Sequence, residues 1–279
     1  MANSKKEFIY LAGGVAEAAC EIAVPSLVQM CGEVRAVVET VRYLASTERA
    51  LLKLVRPGDH RPVLVLPGFL CSDTATWALR RFLRRAGYCS HAWRQGINWG
   101  PNPELREALI KRLEYLAQCS NQKVTVVGWS LGGVYAREVA SLRPDLIREV
   151  ITMGTPLHGS PKSTSVWRAY AWINRKQLTG AEEMSLEFRS ASVPCLSLYS
   201  KADGIVPWQL SVPKTTRAMA FREVHGSHIG LVANAEVMEI LVHHLQKRQR
   251  WPSRLERRVS QARLPLAPPD KKQHLKAAA

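Results

Sequence analysis

Short apolar runs rich in β-branched residues recur along the chain, separated by stretches whose apolar positions fall three or four residues apart. Val63-Leu64-Val65-Leu66, Val124 to Val127, Glu149 to Met153, Cys195 to Ser200 and Met219 to Val224 read as strands, with another near Tyr88 to Trp93. Unbroken apolar runs of this length suit strands buried on both faces. Helices are predicted from about Thr74 to Ala86, from Asn102-Pro103-Glu104 onward, from Leu131 to about Leu142, and from Ala233 to Gln246. Asn-Pro-Glu is a helix start, and Leu105, Leu109, Leu113 and Leu116 mark the buried stripe that follows it. Ser72-Asp73 is expected to cap the helix after the first strand. Strands alternating with helices predict a mostly parallel sheet with helices on both faces. In such a sheet a site forms in the loops beyond the strands' carboxyl ends.

Outside this core the pattern changes. Glu7 to Val55 is helical by periodicity and divided at Pro25, with Val34, Val37, Val38, Val41, Leu44 and Leu51 as an apolar stripe on the second piece. We expect this segment, residues 1–58, to form an extra N-terminal helical layer packed on the main domain; a membrane-surface role is the alternative. From 160 to 193 the periodicity weakens. Trp167, Tyr170 and Trp172 cluster there, and a helix is expected over Ala181 to Arg189, as a cap-like insertion in a domain spanning 59–246. Residues 247–279 read as a basic, disordered tail.

Composition narrows the classes. A chain of 279 residues with 46% apolar content buries a full core as one domain. Lys and Arg exceed Asp and Glu by 39 − 23 = 16. The tail holds ten basic against two acidic residues, half of that excess, so peripheral contact with an anionic membrane is a candidate use of it. Arg80, Arg81, Arg84 and Arg85 crowd one flank of their helix and are read as a solvated face. No nucleic-acid partner is expected. The six cysteines show no C-x-x-C or metal spacing and read as reduced packing residues. Glu7, Glu17 and Glu21 interrupt the first apolar stretch, against a secretory leader, and no apolar run nears the roughly 20 residues of a membrane span. A cytoplasmic location is expected.

The candidate chemistry centres on Gly128-Trp129-Ser130-Leu131-Gly132, a G-x-S-x-G turn between a strand and a helix. A serine at so sharp a turn takes strained dihedrals, so its flanking positions must lack side chains. Serine needs a base, and the base an acid. Val224-His225-Gly226-Ser227-His228 follows the last strand. His228, at the loop apex, is the preferred base, while His225 reads as packing or hydrogen-bonded. Asp203, past the preceding strand, is the preferred acid over Asp145, which reads as surface. An oxyanion hole needs two backbone N–H groups; Leu131 at the helix start and Phe69 in Pro67-Gly68-Phe69 are the candidates.

Together Gly128-Trp129-Ser130-Leu131-Gly132-Gly133, Leu66-Pro67-Gly68-Phe69, Gly154-Thr155-Pro156 and Ser227-His228 resemble the α/β-hydrolase superfamily, above all its bacterial lipase/esterase-like members. The likeness covers about Arg61 to Gln246. It implies ester hydrolysis through an acyl-enzyme without metal or cofactor, on a small-molecule or lipid ester. It also implies that Gly154-Thr155-Pro156 lines the acyl site. An acyltransferase or thioesterase using the same serine, and a scaffold that binds a membrane or partner without catalysis, are the competing functions. Trp129, Trp167 and Trp172 are candidate walls of the acyl pocket or core aromatics.

Overall fold

A computed structural model describes residues 24–43, 48–54, 56–100, 103–159, 161–167, 170–171, 193–212 and 219–247. The expected helix before residue 24, Cys20, Leu44, Trp172, the helix over 181–189, most of the 160–193 insertion and the basic tail lie outside them. Six strands form one sheet: β1 (Pro62–Leu66), β2 (Cys89–Ala92), β3 (Val124–Trp129), β4 (Ile147–Met153), β5 (Cys195–Tyr199) and β6 (Met219–Glu223). Their order is β2-β1-β3-β4-β5-β6, and all five pairings are parallel. The chain leaves β1 for one neighbour and returns for the other, so the order reverses between β1 and β3. Ligands bind at such a switch point, beyond the strands' carboxyl ends.

The N-terminal helices are α1 (Leu27–Gly32), α2 (Ala36–Arg42) and α3 (Glu48–Leu54), with a 3-10 turn at Glu33–Arg35 joining the first two. Crossovers are α4 (Trp77–Arg85), α5 (Pro103–Ser120) and α6 (Leu131–Leu142), and α7 (Ala235–Lys247) closes the domain. Alternation along the strands sorts side chains to two faces. Val63, Val65, Val127, Ile151 and Leu198 meet Leu79, Phe82 and Leu83 of α4 and Val237, Leu241 and Val242 of α7. Leu64, Leu66, Val126 and Val150 meet Leu109 and Leu113 of α5 and Tyr135 and Val139 of α6. At the amino ends of the strands, fully buried Arg61 pairs with Asp59 at 2.7 Å, and Glu149 accepts from His244 Nε2 at 2.9 Å.

Three expectations are corrected in detail. Asp73 does not cap α4, which starts only at Trp77 behind Thr76; its carboxylate instead accepts the Trp93 and Arg94 N–H groups at 3.0 and 3.2 Å, tying down the end of β2. Arg81 and Arg85 are not merely solvated, because both contact the buried carboxylate of Glu48, at 2.7 and 3.1 Å. The valine stripe faces outward: Val34 is 77% and Val38 66% exposed, while Glu33, Ala36 and Tyr43 are buried. The layer therefore meets the domain with the face opposite to its valines. Of the described cysteines, all unbridged, Cys195 alone is buried, and burial pushes its thiol up to about 11.

Candidate active site

The turn after β3 has the strain its sequence implies. Ser130 sits at φ 54°, ψ −125°, a region costly for a side chain-bearing residue. The conformation is held by its neighbours. Ser130 N–H donates to Met153 O (2.8 Å), and its carbonyl accepts from Gly133 N–H (2.9 Å) and Thr155 Oγ1 (3.0 Å). Glycine is required at both flanks: a Cβ at Gly132 would lie 2.5 Å from Leu66 O, and one at Gly128 would overlap Gly133 Cα. The serine tops the switch point at the amino end of α6, where the helix dipole favours developing negative charge.

Asp203 and His228 form a buried pair. His228 Nδ1 lies 2.6 Å from Asp203 Oδ2, and both residues are about 2–3% exposed. Asp203 Oδ1 accepts the Ile205 and Val206 N–H groups at 2.8 and 2.7 Å, which fixes the carboxylate in its turn. With Nδ1 donating to Asp203, Nε2 is the free lone pair of the neutral ring. Burial pulls the His228 imidazole down; the Asp203 charge, its hydrogen bond and the Glu33 charge outweigh this and hold it above the ordinary histidine value. Trp129 Nε1–H donates to His228 O (3.1 Å) with the rings 5.8 Å apart, linking His228 to the residue beside Ser130. Gly154, at φ 53°, lies against the pair: a Cβ there would stand 2.9 Å from His228 Nδ1 and 3.0 Å from Asp203 Oδ2. Ser130 Oγ makes no hydrogen bond to His228 among the described residues; such contacts are often long in unliganded sites and tighten with substrate.

A Cβ built on Gly68 would sit 3.1 Å from Ser130 Cβ, so the loop after β1 lies against the serine. Neither Phe69 nor Leu131 N–H has an acceptor among the described residues. Asn98 shapes that loop: its Nδ2 donates to Pro67 O (2.9 Å), its carbonyl accepts Leu70 N–H (2.7 Å), and Tyr135 OH meets its Oδ1 (3.3 Å). Phe69 packs on Tyr170, which stacks on Trp167, with centroids 5.2 and 5.6 Å apart. Trp129 belongs to the core and not to a pocket wall. The rejected candidates are on the surface, His225 against Glu236 Oε2 at 3.2 Å and Asp145 against Arg143 at 2.9 Å. Among the described residues no cluster of three or more His, Cys, Asp or Glu is arranged for a metal, and no helix is long and apolar enough to cross a membrane.

The family described as the alpha/beta hydrolase fold matches residues 66–181. The chain has the α/β-hydrolase fold. Solved structures similar to it include a monoacylglycerol lipase of Paleococcus ferrophilus (TM-score 0.50, 19% identity, 69% of this chain and 96% of that one). Lipase B of Aspergillus fumigatus gives 0.53 at 18% identity, over 72% and 58% of the two chains. A monoglyceride lipase of Saccharomyces cerevisiae gives 0.51 at 14%, over 69% and 88%. Triacylglycerol lipases of Pseudarthrobacter phenanthrenivorans and Burkholderia plantarii are each 39% identical over 61 residues, 22% of this chain. That match spans only 19% and 17% of those relatives' own length.

The residues that local sequence did not reveal are Glu33 and Asn98. Each acts through backbone atoms of a segment distant in the chain, which no local pattern encodes.

Proposed function

We propose that this α/β-hydrolase cleaves carboxylic esters through a Ser130–His228–Asp203 triad and an acyl-enzyme. The buried 2.6 Å His228–Asp203 contact, beside a serine held in a strained turn, carries the reading. Ser130 Oγ attacks the acyl carbonyl while His228 Nε2 takes its proton, and Asp203 holds the tautomer and balances the imidazolium. The Phe69 and Leu131 N–H groups receive the tetrahedral oxyanion, and donors of this kind are worth about 3 kcal/mol each in the transition state. His228 then returns the proton to the departing alkoxide. Water, deprotonated by the same histidine, releases the acid and restores the serine.

The surroundings favour an apolar acyl group. Leu70, Ile97, Trp99 and Ile229 are exposed large hydrophobics close in chain or by hydrogen bond to Phe69 and His228, and the Phe69–Tyr170–Trp167 stack adjoins them. The lipases among the similar proteins point the same way. A panel of nitrophenyl esters of graded chain length, run on wild type and Ser130→Ala, is the test. Turnover that rises with chain length and vanishes in the variant supports the proposal. Turnover that survives the substitution refutes it, and transfer of the acyl group to added alcohols in preference to water would make the enzyme an acyltransferase.

A further inference from the structure

The turn between α1 and α2 reaches the loops that carry Asp203 and His228. The Glu33 carboxylate, only 8% exposed, accepts three backbone N–H groups there. Its Oε1 takes Gly204 N–H and His228 N–H, each at 2.8 Å, and its Oε2 takes Ile229 N–H at 2.9 Å. One side chain thus bridges the residue after the acid and the base itself, from 171 and 195 positions away. We propose that Glu33 is a positioning residue that sets the Asp203–His228 geometry, making the N-terminal layer part of the working enzyme. The inference rests on the triad reading above.

The rest of that helical face acts in the same direction. Gln29 Nε2 donates to Lys201 O (3.3 Å) and Arg35 to Ala202 O (3.4 Å), both on the acid loop. Glu39 accepts from Ser227 N–H (3.2 Å) and Ser227 Oγ–H (2.8 Å) on the base loop, and Arg35 pairs with Glu39 at 3.3 Å. Hydrogen bonds to a carboxylate are roughly twice as strong as neutral ones. Glu33 makes three of them across two loops whose other links include Ser200 Oγ–Gly226 O, the Lys201–Glu223 ion pair at their base and the triad contact itself. A misplacement of about 1 Å in such a site costs on the order of 100-fold in rate.

The test compares Glu33→Ala and Glu33→Gln with wild type on a short nitrophenyl ester, with active sites counted by a fluorophosphonate. Glu33→Ala is expected to lower kcat per titrated site about 10- to 100-fold while KM changes less than about threefold. Glu33→Gln keeps one acceptor oxygen and loses less rate. Asp203 and Glu33 are the carboxylates acting on His228, so removing one negative charge also moves the acid limb of kcat to lower pH. A role confined to folding would reduce the number of titratable sites and leave both the rate per site and the acid limb unchanged, and that result overturns the proposal. If Glu33→Ala yields no folded protein, Glu33→Gln decides by the same criteria. If wild type shows no Ser130-dependent turnover, the triad reading has failed, and the proton resonance of the His228–Asp203 hydrogen bond still tests the clamp. Loss or broadening of that signal in the Glu33 variants supports it; an unchanged signal overturns it.

Discussion

His228 is fully enclosed, yet its ring is held above the ordinary histidine range because Asp203, at 2.6 Å, outweighs the burial that pulls it down. In the proposed mechanism the neutral ring is the base, so activity is expected above the raised value and is lost as pH falls through it. The acid limb of kcat/KM is expected above about pH 6.5, the unperturbed histidine value. Asp203→Asn leaves burial dominant, so a pH–rate profile should show the limb displaced downward and kcat lowered by about 10⁴-fold. Gly154 offers a second residue-scale test. An alanine there takes an unfavourable φ of 53° and drives a methyl to 2.9 Å from His228 Nδ1. Gly154→Ala is expected to destabilise by roughly 1–3 kcal/mol in chemical denaturation and to lower kcat more than tenfold. Ser130, Asp203 and His228 stand out in the sequence as candidates because each follows its own strand and the three fall in one chain order, and the structure brings Asp203 and His228 together. Glu33 does not, because its three partners are backbone groups at least 171 residues away, and a backbone N–H has no sequence signature.

At the scale of elements, periodicity placed the helices and strands but misjudged one face. The spacing of Val34, Val37, Val38 and Val41 states that a face is apolar and says nothing of what covers it. Across the layer, Glu33, Ala36 and Tyr43 make the contact, since the loops beneath present backbone donors as well as hydrocarbon. Val38→Ser should therefore change stability by less than about 0.5 kcal/mol. Tyr43, which packs edge-on to Phe82 at 6.4 Å, should cost about 3–5 kcal/mol when cut to alanine. Tyr43→Phe should cost nothing, because the buried hydroxyl has no hydrogen-bond partner among the described residues. Thermal melts of the three variants separate this orientation from the opposite one. Asp73 gives the same lesson: a Ser-Asp pair before a helix reads as a cap, but two N–H groups twenty residues on compete for the carboxylate.

For the whole molecule, alternating strands and helices were enough to specify a parallel sheet with two helical faces, because runs such as Val63 to Leu66 must be covered on both sides. The strand order was not legible, since no residue pattern distinguishes which edge of β1 receives β3. That order creates the switch point, where the proposed convergence of Phe69 and Leu131 on Ser130 lies. The central claim is that this convergence activates one serine as a nucleophile. It is tested most directly by treating the protein with a fluorophosphonate and locating the adduct by peptide mass spectrometry. One phosphonylated residue, Ser130, is expected, with labelling abolished in Ser130→Ala and strongly slowed in Asp203→Asn. Equal labelling of Ser130→Ala, or an adduct on any other residue, would contradict it.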